Sequence, residues 1–199
     1  MISAAGAQSI TSWAAKGGRP LSQFEYIAIA FSLIYSFSVM RLVSGISHAL
    51  DPDRRYWVHL AHVGFQLAAS AVSFWVMWSY HDAEWSLRTF LLVLAGPALF
   101  YFNATVLIPE AAAAIESWRV HYFSVCKRYW VAICLWALVV AATDLALLEE
   151  PLLDPARAIQ SYFLALGVTG AVSENPRVHS ILVPLVWLPI FTAILRNIQ

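Results

Sequence analysis

Six apolar runs, each long enough to cross a lipid bilayer, follow one another along this chain with short polar breaks between them. The runs are Glu25–Ser47, Tyr56–Tyr80, Arg88–Ile108, Arg128–Leu148, Arg157–Ser173 and Val178–Arg196. A spanning helix needs about 20 residues, with a range of about 17 to 25. Inside lipid every backbone polar group must be paired within the protein, and the alternation typical of barrel strands is absent here. The sequence therefore predicts an all-α, multi-pass membrane bundle of about six helices.

The composition excludes several classes of protein. Apolar residues make up 60% of the chain and charged residues only 12%, whereas soluble domains have about 45–50% and about 25%. The 12 basic and 12 acidic side chains cancel, so no net field attracts nucleic acid. The first partner is the lipid bilayer, and so small a bundle favours a homo-oligomer or a subunit of a membrane complex. Ten arginines against two lysines suggest a bacterial inner membrane.

The chain divides into an N-terminal arm and one membrane domain. Residues 1–23 lack the basic start and apolar core of a signal peptide, so they are predicted to form a flexible or interfacial arm. Residues 24–199 form the six-helix domain. Within it, Pro109 to Lys127 has high helix propensity and predicts a surface or protruding helix before the fourth span. The last two runs are short, so a re-entrant pair is an alternative there.

A short motif occurs twice. Leu50–Arg54 and Leu153–Arg157 both read LDPxR, 103 residues apart, and each precedes the second helix of a three-helix half. Two halves of three spans would have opposite topology, as in inverted-repeat transporters. The alternative is that Asp followed by Pro is a general way to begin a helix.

The distribution of lysine and arginine predicts the orientation. The first, third and fifth connections carry Arg41, Arg54, Arg55, Arg119, Lys127, Arg128 and Arg177. The other side carries Lys16, Arg19, Arg88, Arg157 and Arg196. Because positive charge is enriched on the cytoplasmic side, both termini are expected outside.

Polar side chains inside the spans are the candidates for function, because they are costly in lipid and usually face a bundle interior. The second span carries a stripe within an arc of about 80°, made of His59, His62, Gln66, Ser70 and Ser73. The first span carries a facing set, made of Ser38, Arg41, Ser44 and His48. Asn103 and Asp144 extend the candidate pathway. Hydrogen bonding between helices is the alternative for the stripe. Arg41 has three alternatives: extension to the headgroups, pairing with Asp51 or Glu110, or binding of an anion.

Five of the six histidines are predicted to lie on one side of the membrane. They are His48, His59, His62, His121 and His179. His59 and His62 lie one turn apart and are candidates to share a transition metal; His62 opposite His48 or His179 is a candidate haem-ligand pair. No acidic or histidine motif completes a metal site, so chance clustering at helix ends is the alternative.

The sequence offers little support for an enzyme. It contains no GxSxG motif, no paired carboxylates within a span and no glycine-rich phosphate loop. Gly167 and Gly170 are instead typical of close helix packing. The leading hypothesis is a channel- or transporter-like protein with a polar pathway lined by the first two helices. The alternatives are a histidine-ligated metal or haem redox protein and a non-catalytic membrane subunit or scaffold.

Overall fold

The computed structural model describes residues 21–148 and 157–197, and within these ranges every regular element is helical. The helices are α1 (Gln23–Ala49), α2 (Trp57–Val76, continued by the 3-10 turn Met77–Tyr80), α3 (Leu87–Leu107), α4 (Trp118–Leu147), α5 (Ala158–Val172) and α6 (Pro176–Asn197). The all-α membrane bundle is confirmed. Residues 1–20 of the predicted arm lie outside the described residues, as does most of the second LDPxR motif.

Five of the helices are long and apolar enough to cross a bilayer, and α5 is shorter. Its 15 residues give a length of about 22 Å, against about 30 Å for the hydrocarbon core. Even so, α5 runs between the same two ends of the bundle as its neighbours. Gln160 near its start bonds to Asp144, and Ser173 just after it bonds to His179. This course differs from that of a re-entrant pair, which turns back within the bilayer.

Helix boundaries follow from local capping chemistry. Ser22 begins α1 with a capping box, in which its hydroxyl accepts from the Glu25 amide at 3.2 Å and the Glu25 carboxylate accepts from the Ser22 amide at 2.6 Å. Ser86 and Thr89 form the equivalent pair at α3. The helix α3 ends at Leu107 because Pro109 follows, and the residue before a proline is forced into extended backbone. Ile108 has that conformation.

Contacts between connections define two ends of the bundle. At the first, which we call the histidine end, the Trp118 amide donates to the Arg54 carbonyl at 3.0 Å, and Tyr122 bonds to His179 at 2.9 Å. At the other, the Asp144 end, Asp144 accepts hydrogen bonds from Tyr80 and Gln160. Successive helices therefore alternate in direction, and the first, third and fifth connections share one face.

The helix expected before the fourth span begins later than predicted. Residues 109–117 contain only the 3-10 turn Ala112–Ala114, because Arg54 binds the carbonyls of Ala113 and Ile115, each at 3.1 Å. The remainder of the predicted segment is the first part of α4. That helix has 30 residues and a length of about 45 Å. It is longer than the hydrocarbon core is thick, so it extends beyond that core.

The helices form a closed ring in the order α1, α3, α4, α5, α6, α2. The two halves of the chain, α1 to α3 and α4 to α6, do not pack alike. In the first half, the first helix lies along the third, α1 along α3. In the second half, the first helix lies along the second, α4 along α5, and meets α6 mainly through side chains. This packing gives the inverted repeat no support. Glycines permit the close approaches: a Cβ on Gly167 would collide with Cys134, one on Gly170 with the Trp130 ring, and one on Gly45 with Ile108.

Gly170→Ala should destabilise the bundle. The added methyl group meets the Trp130 ring, which is fully buried, so either ring or helix must shift. Overpacking of this kind costs about 1–3 kcal/mol. Thermal unfolding of the purified protein in detergent, followed by circular dichroism, measures the effect.

Gly96→Ala is the matched control, because Gly96 also lies inside a helix but a Cβ there meets no atom within 4 Å. Equal unfolding temperatures for the two variants would contradict the tight α4–α5 contact.

Candidate functional site

The carboxyl end of α3 is the centre of the histidine end. The last carbonyls of a helix have no partner within it, and they carry partial negative charge that favours cations and N–H donors. Side chains from three other helices supply these donors. The bonds are His121 Nε2 to the Val106 carbonyl at 3.1 Å, His59 Nε2 to the Leu107 carbonyl at 3.0 Å, and Arg41 Nε to the Ile108 carbonyl at 2.9 Å.

Arg41 is thereby placed as a cap on α3. Its guanidinium also lies 4.0 Å from Glu110, which is one of the two acidic partners considered from the sequence. Asp51 pairs with Arg54 instead, at 2.6 Å. That hydrogen bond from the Arg54 guanidinium holds the pKa of the Asp51 carboxyl below its usual range.

His59 combines its bond to α3 with aromatic packing. Its ring stacks on Trp118, with centroids 4.6 Å apart and planes 19° from parallel. Trp118 in turn donates from Nε1 to the His48 carbonyl at 2.8 Å. Because Nε2 of His59 donates its N–H to the Leu107 carbonyl, the other ring nitrogen, Nδ1, carries no proton in the neutral ring. This nitrogen is buried and has no hydrogen-bond partner.

His62 is enclosed by aromatic rings from α4. It stacks on Tyr122 at 5.6 Å and 7°, and meets Trp130 edge-on at 5.1 Å. Nδ1 of His62 shares a hydrogen bond of 3.3 Å with the Tyr129 hydroxyl. Nε2 of His62 is buried without a partner.

His179 has both ring nitrogens satisfied. Nδ1 lies 2.9 Å from the Tyr122 hydroxyl and accepts from Trp130 Nε1 at 3.3 Å, while Nε2 donates to the Ser173 carbonyl at 2.7 Å. Since the indole nitrogen can only donate, this network selects the neutral tautomer with its proton on Nε2. The residue joins α4 to the connection between α5 and α6.

A set of unpaired polar atoms lies deeper along α2 and α3. Seven buried side-chain polar atoms in the described residues have no partner, and five of them belong to His59, His62, Gln66 and Asn103. We call these four residues the unpaired polar tract. Both amide atoms of Gln66 are among the five. By helix geometry Gln66 lies about 10 Å deeper than His59 and Asn103 about 6 Å deeper than Leu107. The four residues therefore lie at successive depths, counted from the histidine end into the bundle.

The remaining pathway candidates lie at various places. Ser38 and Ser70 are buried, and Ser73 contacts the Tyr35 hydroxyl. Ser44 is exposed and bonds to the Arg41 carbonyl within its own helix, so it does not face the α2 stripe. His48 takes part through its backbone carbonyl, which accepts the hydrogen bond from Trp118 Nε1.

Asp144 lies at the opposite end from the histidines. Its two carboxylate oxygens accept from the Tyr80 hydroxyl and, at 2.8 Å, from Gln160 Nε2. Arg157 is also buried there and donates to the Ala141 carbonyl at 2.8 Å. Asp144, on α4, thus joins the end of the α2 segment to α5. It is separated from Gln66, the deepest member of the unpaired polar tract, by roughly 20 Å along α2.

The aromatic side chains of α4 are functional neighbours that sequence reasoning missed. Trp118, Tyr122 and Tyr129 are fully buried against His59, His62 and His179. Their spacing of four and seven residues places them on one helix face. That spacing, in the segment predicted as a surface helix and in the span that follows it, is the signal that the sequence offers.

The histidines do not fit a haem or metal centre. The described residues contain no group of three His, Cys, Asp or Glu side chains that is able to hold a metal ion. Both nitrogens of His179 are engaged, and rings cover the faces of His62, so a porphyrin has no place between them. The predicted His59 and His62 pair gains no third ligand.

Comparison with protein-family models, with curated proteins and with solved structures gave no match. The function is therefore inferred from the geometry of the site.

His59→Phe should destabilise the protein while preserving the stack on Trp118. The phenyl ring cannot donate to the Leu107 carbonyl, and an unsatisfied buried acceptor costs about 1–3 kcal/mol. Thermal unfolding in detergent measures the loss.

His81→Phe is the control, because His81 also stacks on a tryptophan, Trp78, at 5.0 Å, but lies exposed at the other end of the bundle. If His81→Phe lowers the unfolding temperature as much as His59→Phe does, the cap on α3 is not the source of the effect.

Proposed function

We propose that this chain is a channel- or transporter-like membrane protein that passes a small polar species along the unpaired polar tract. The observation that carries the proposal is the concentration of five unpaired, buried polar atoms on His59, His62, Gln66 and Asn103. An unpaired polar group in an apolar interior is strongly destabilising. Water or a passing solute would give these atoms the partners that the protein does not.

The surroundings of the tract support a directed route. Ser70 lies one turn beyond Gln66 on α2, and Ser73 and Tyr35 continue the polar surface toward the Asp144 end. At the histidine end, Arg41 lies beside His59 on the same helix terminus and places a positive charge at the entrance. That charge favours an anion, or a proton moving with one.

We further propose that the protein resides in a bacterial inner membrane with the histidine end facing the cytoplasm. Support comes from the seven lysines and arginines in or beside the three connections at that end, compared with Arg88, Arg157 and Arg196 at the other end of the described residues. Both termini would then lie outside. Large apolar side chains on the outer surface of the ring suit contact with lipid or with a second copy of the chain in a homo-oligomer.

Flux in liposomes tests the proposal. Wild-type protein is reconstituted with internal dyes sensitive to pH, to halide and to potassium, and influx is driven by imposed gradients of protons, chloride and potassium. Gln66→Leu and Asn103→Leu should each lower the flux about tenfold, which corresponds to the loss of one hydrogen bond of about 1.4 kcal/mol to the passing species.

Thr169→Val is the matched control, because Thr169 is a polar residue on the exposed face of α5 and bonds only to its own helix. It should leave the flux unchanged. A wild-type protein that passes no protons, anions or cations overturns the proposal and favours a non-catalytic subunit or scaffold.

A further inference from the structure

A groove on the outer surface between α3 and α4 has the form of a lipid site. Its volume is about 420 Å³, and its walls are almost wholly apolar. The α3 wall contains Leu99 and Phe102, and the α4 wall contains Val131 and Leu135. Phe102, Val131 and Leu135 are each more than 40% exposed, so the groove is open to whatever surrounds the bundle.

Two positive charges lie at one end of the groove. Lys127 and Arg128 line it together with the apolar residues, and Lys127, Val131 and Leu135 are spaced four residues apart on one face of α4. The groove therefore runs along the helix from charged side chains to apolar ones. Neither cation forms an ion pair with an acidic residue in the part of the chain that the structure describes.

Lys127 and Arg128 lie at the end of the α4 wall that is nearer to the histidine end. Lys127 follows His121 by six residues, so its backbone lies about 9 Å deeper than the carboxyl end of α3, which His121 binds. Both side chains are exposed, and long basic side chains at this depth extend along the helix toward the headgroups. Their charged groups thus reach toward the lipid phosphates, while Val131 and Leu135 lie deeper, at the level of the acyl chains.

We propose that this groove binds one anionic phospholipid, with an acyl chain between Phe102 and Leu135 and the phosphate group on Lys127 and Arg128. Charge complementarity selects the occupant. Two unpaired cations at the interface attract a net negative headgroup, whereas a zwitterionic headgroup offers them a compensated charge.

Native mass spectrometry of the detergent-purified protein, titrated with phosphatidylglycerol or phosphatidylcholine, tests the proposal. We expect one phosphatidylglycerol to bind more tightly than phosphatidylcholine. The double variant Lys127→Gln with Arg128→Gln should bind it about thirtyfold more weakly, since two interfacial charges are removed. Leu135→Trp keeps both charges and fills the groove, so it should also lose the bound lipid.

The charge-matched control is Arg55→Gln with Arg88→Gln, two exposed arginines that do not line the groove. It should bind phosphatidylglycerol as the wild type does. Equal binding of both lipids overturns the proposal, as does full displacement of the lipid by inorganic phosphate, which would indicate a simple anion site. A dimer in the wild type that Leu135→Trp dissociates, with no change in lipid preference, would show that a second copy covers the groove and would also overturn it.

Discussion

Three carbonyls at the carboxyl end of α3 accept hydrogen bonds from three different helices, and the histidine end is built around these bonds. Pro109 ends α3 and leaves the carbonyls without partners in their own helix. In a membrane protein a helix end without water must find donors among its neighbours. Arg41, His59 and His121 supply them from α1, α2 and α4. The same residues hold Trp118 against His59, and they hold α4, which Trp118 begins, against α2.

The polar side chains of α2 carry two kinds of atom, those that bond to other helices and those that have no partner. His59 uses Nε2 to hold α3, and His62 uses Nδ1 to meet Tyr129, so part of each ring is structural. The other ring nitrogen of each histidine has no partner, and neither do the side-chain amide of Gln66 and the side-chain oxygen of Asn103. If these positions served only to hold the helices together, apolar side chains there would make the bundle more stable. The unpaired groups are therefore the part of the interior that packing does not explain.

Much of this architecture was predictable because it depends on periodicity and length. Apolar runs of about 20 residues defined the helices, the alternation of short connections placed most histidines at one end, and Gly167 with Gly170 indicated a close contact. The partners were not predictable. Helical spacing shows which face of α2 is polar, but not that α3 ends opposite His59 or that α4 covers His62 with aromatic rings. The high helix propensity of the alanines after Pro109 predicts a helix there, whereas in the structure Arg54 binds the carbonyls of this segment.

The shortness of α5 has a consequence for the surrounding lipid. Its charge-free stretch, residues 158–173, is bounded by Arg157 and Glu174 and covers about 24 Å, several ångströms less than an average hydrocarbon core. Val168 and Val172 on this helix are exposed, so this side of the ring is open to acyl chains. Where lipid rather than a second copy covers α5, the bilayer has to thin along that side, at a cost that rises with each ångström of hydrophobic mismatch. The protein will be most stable in membranes of shorter or more disordered chains, and it will deform a thick membrane asymmetrically.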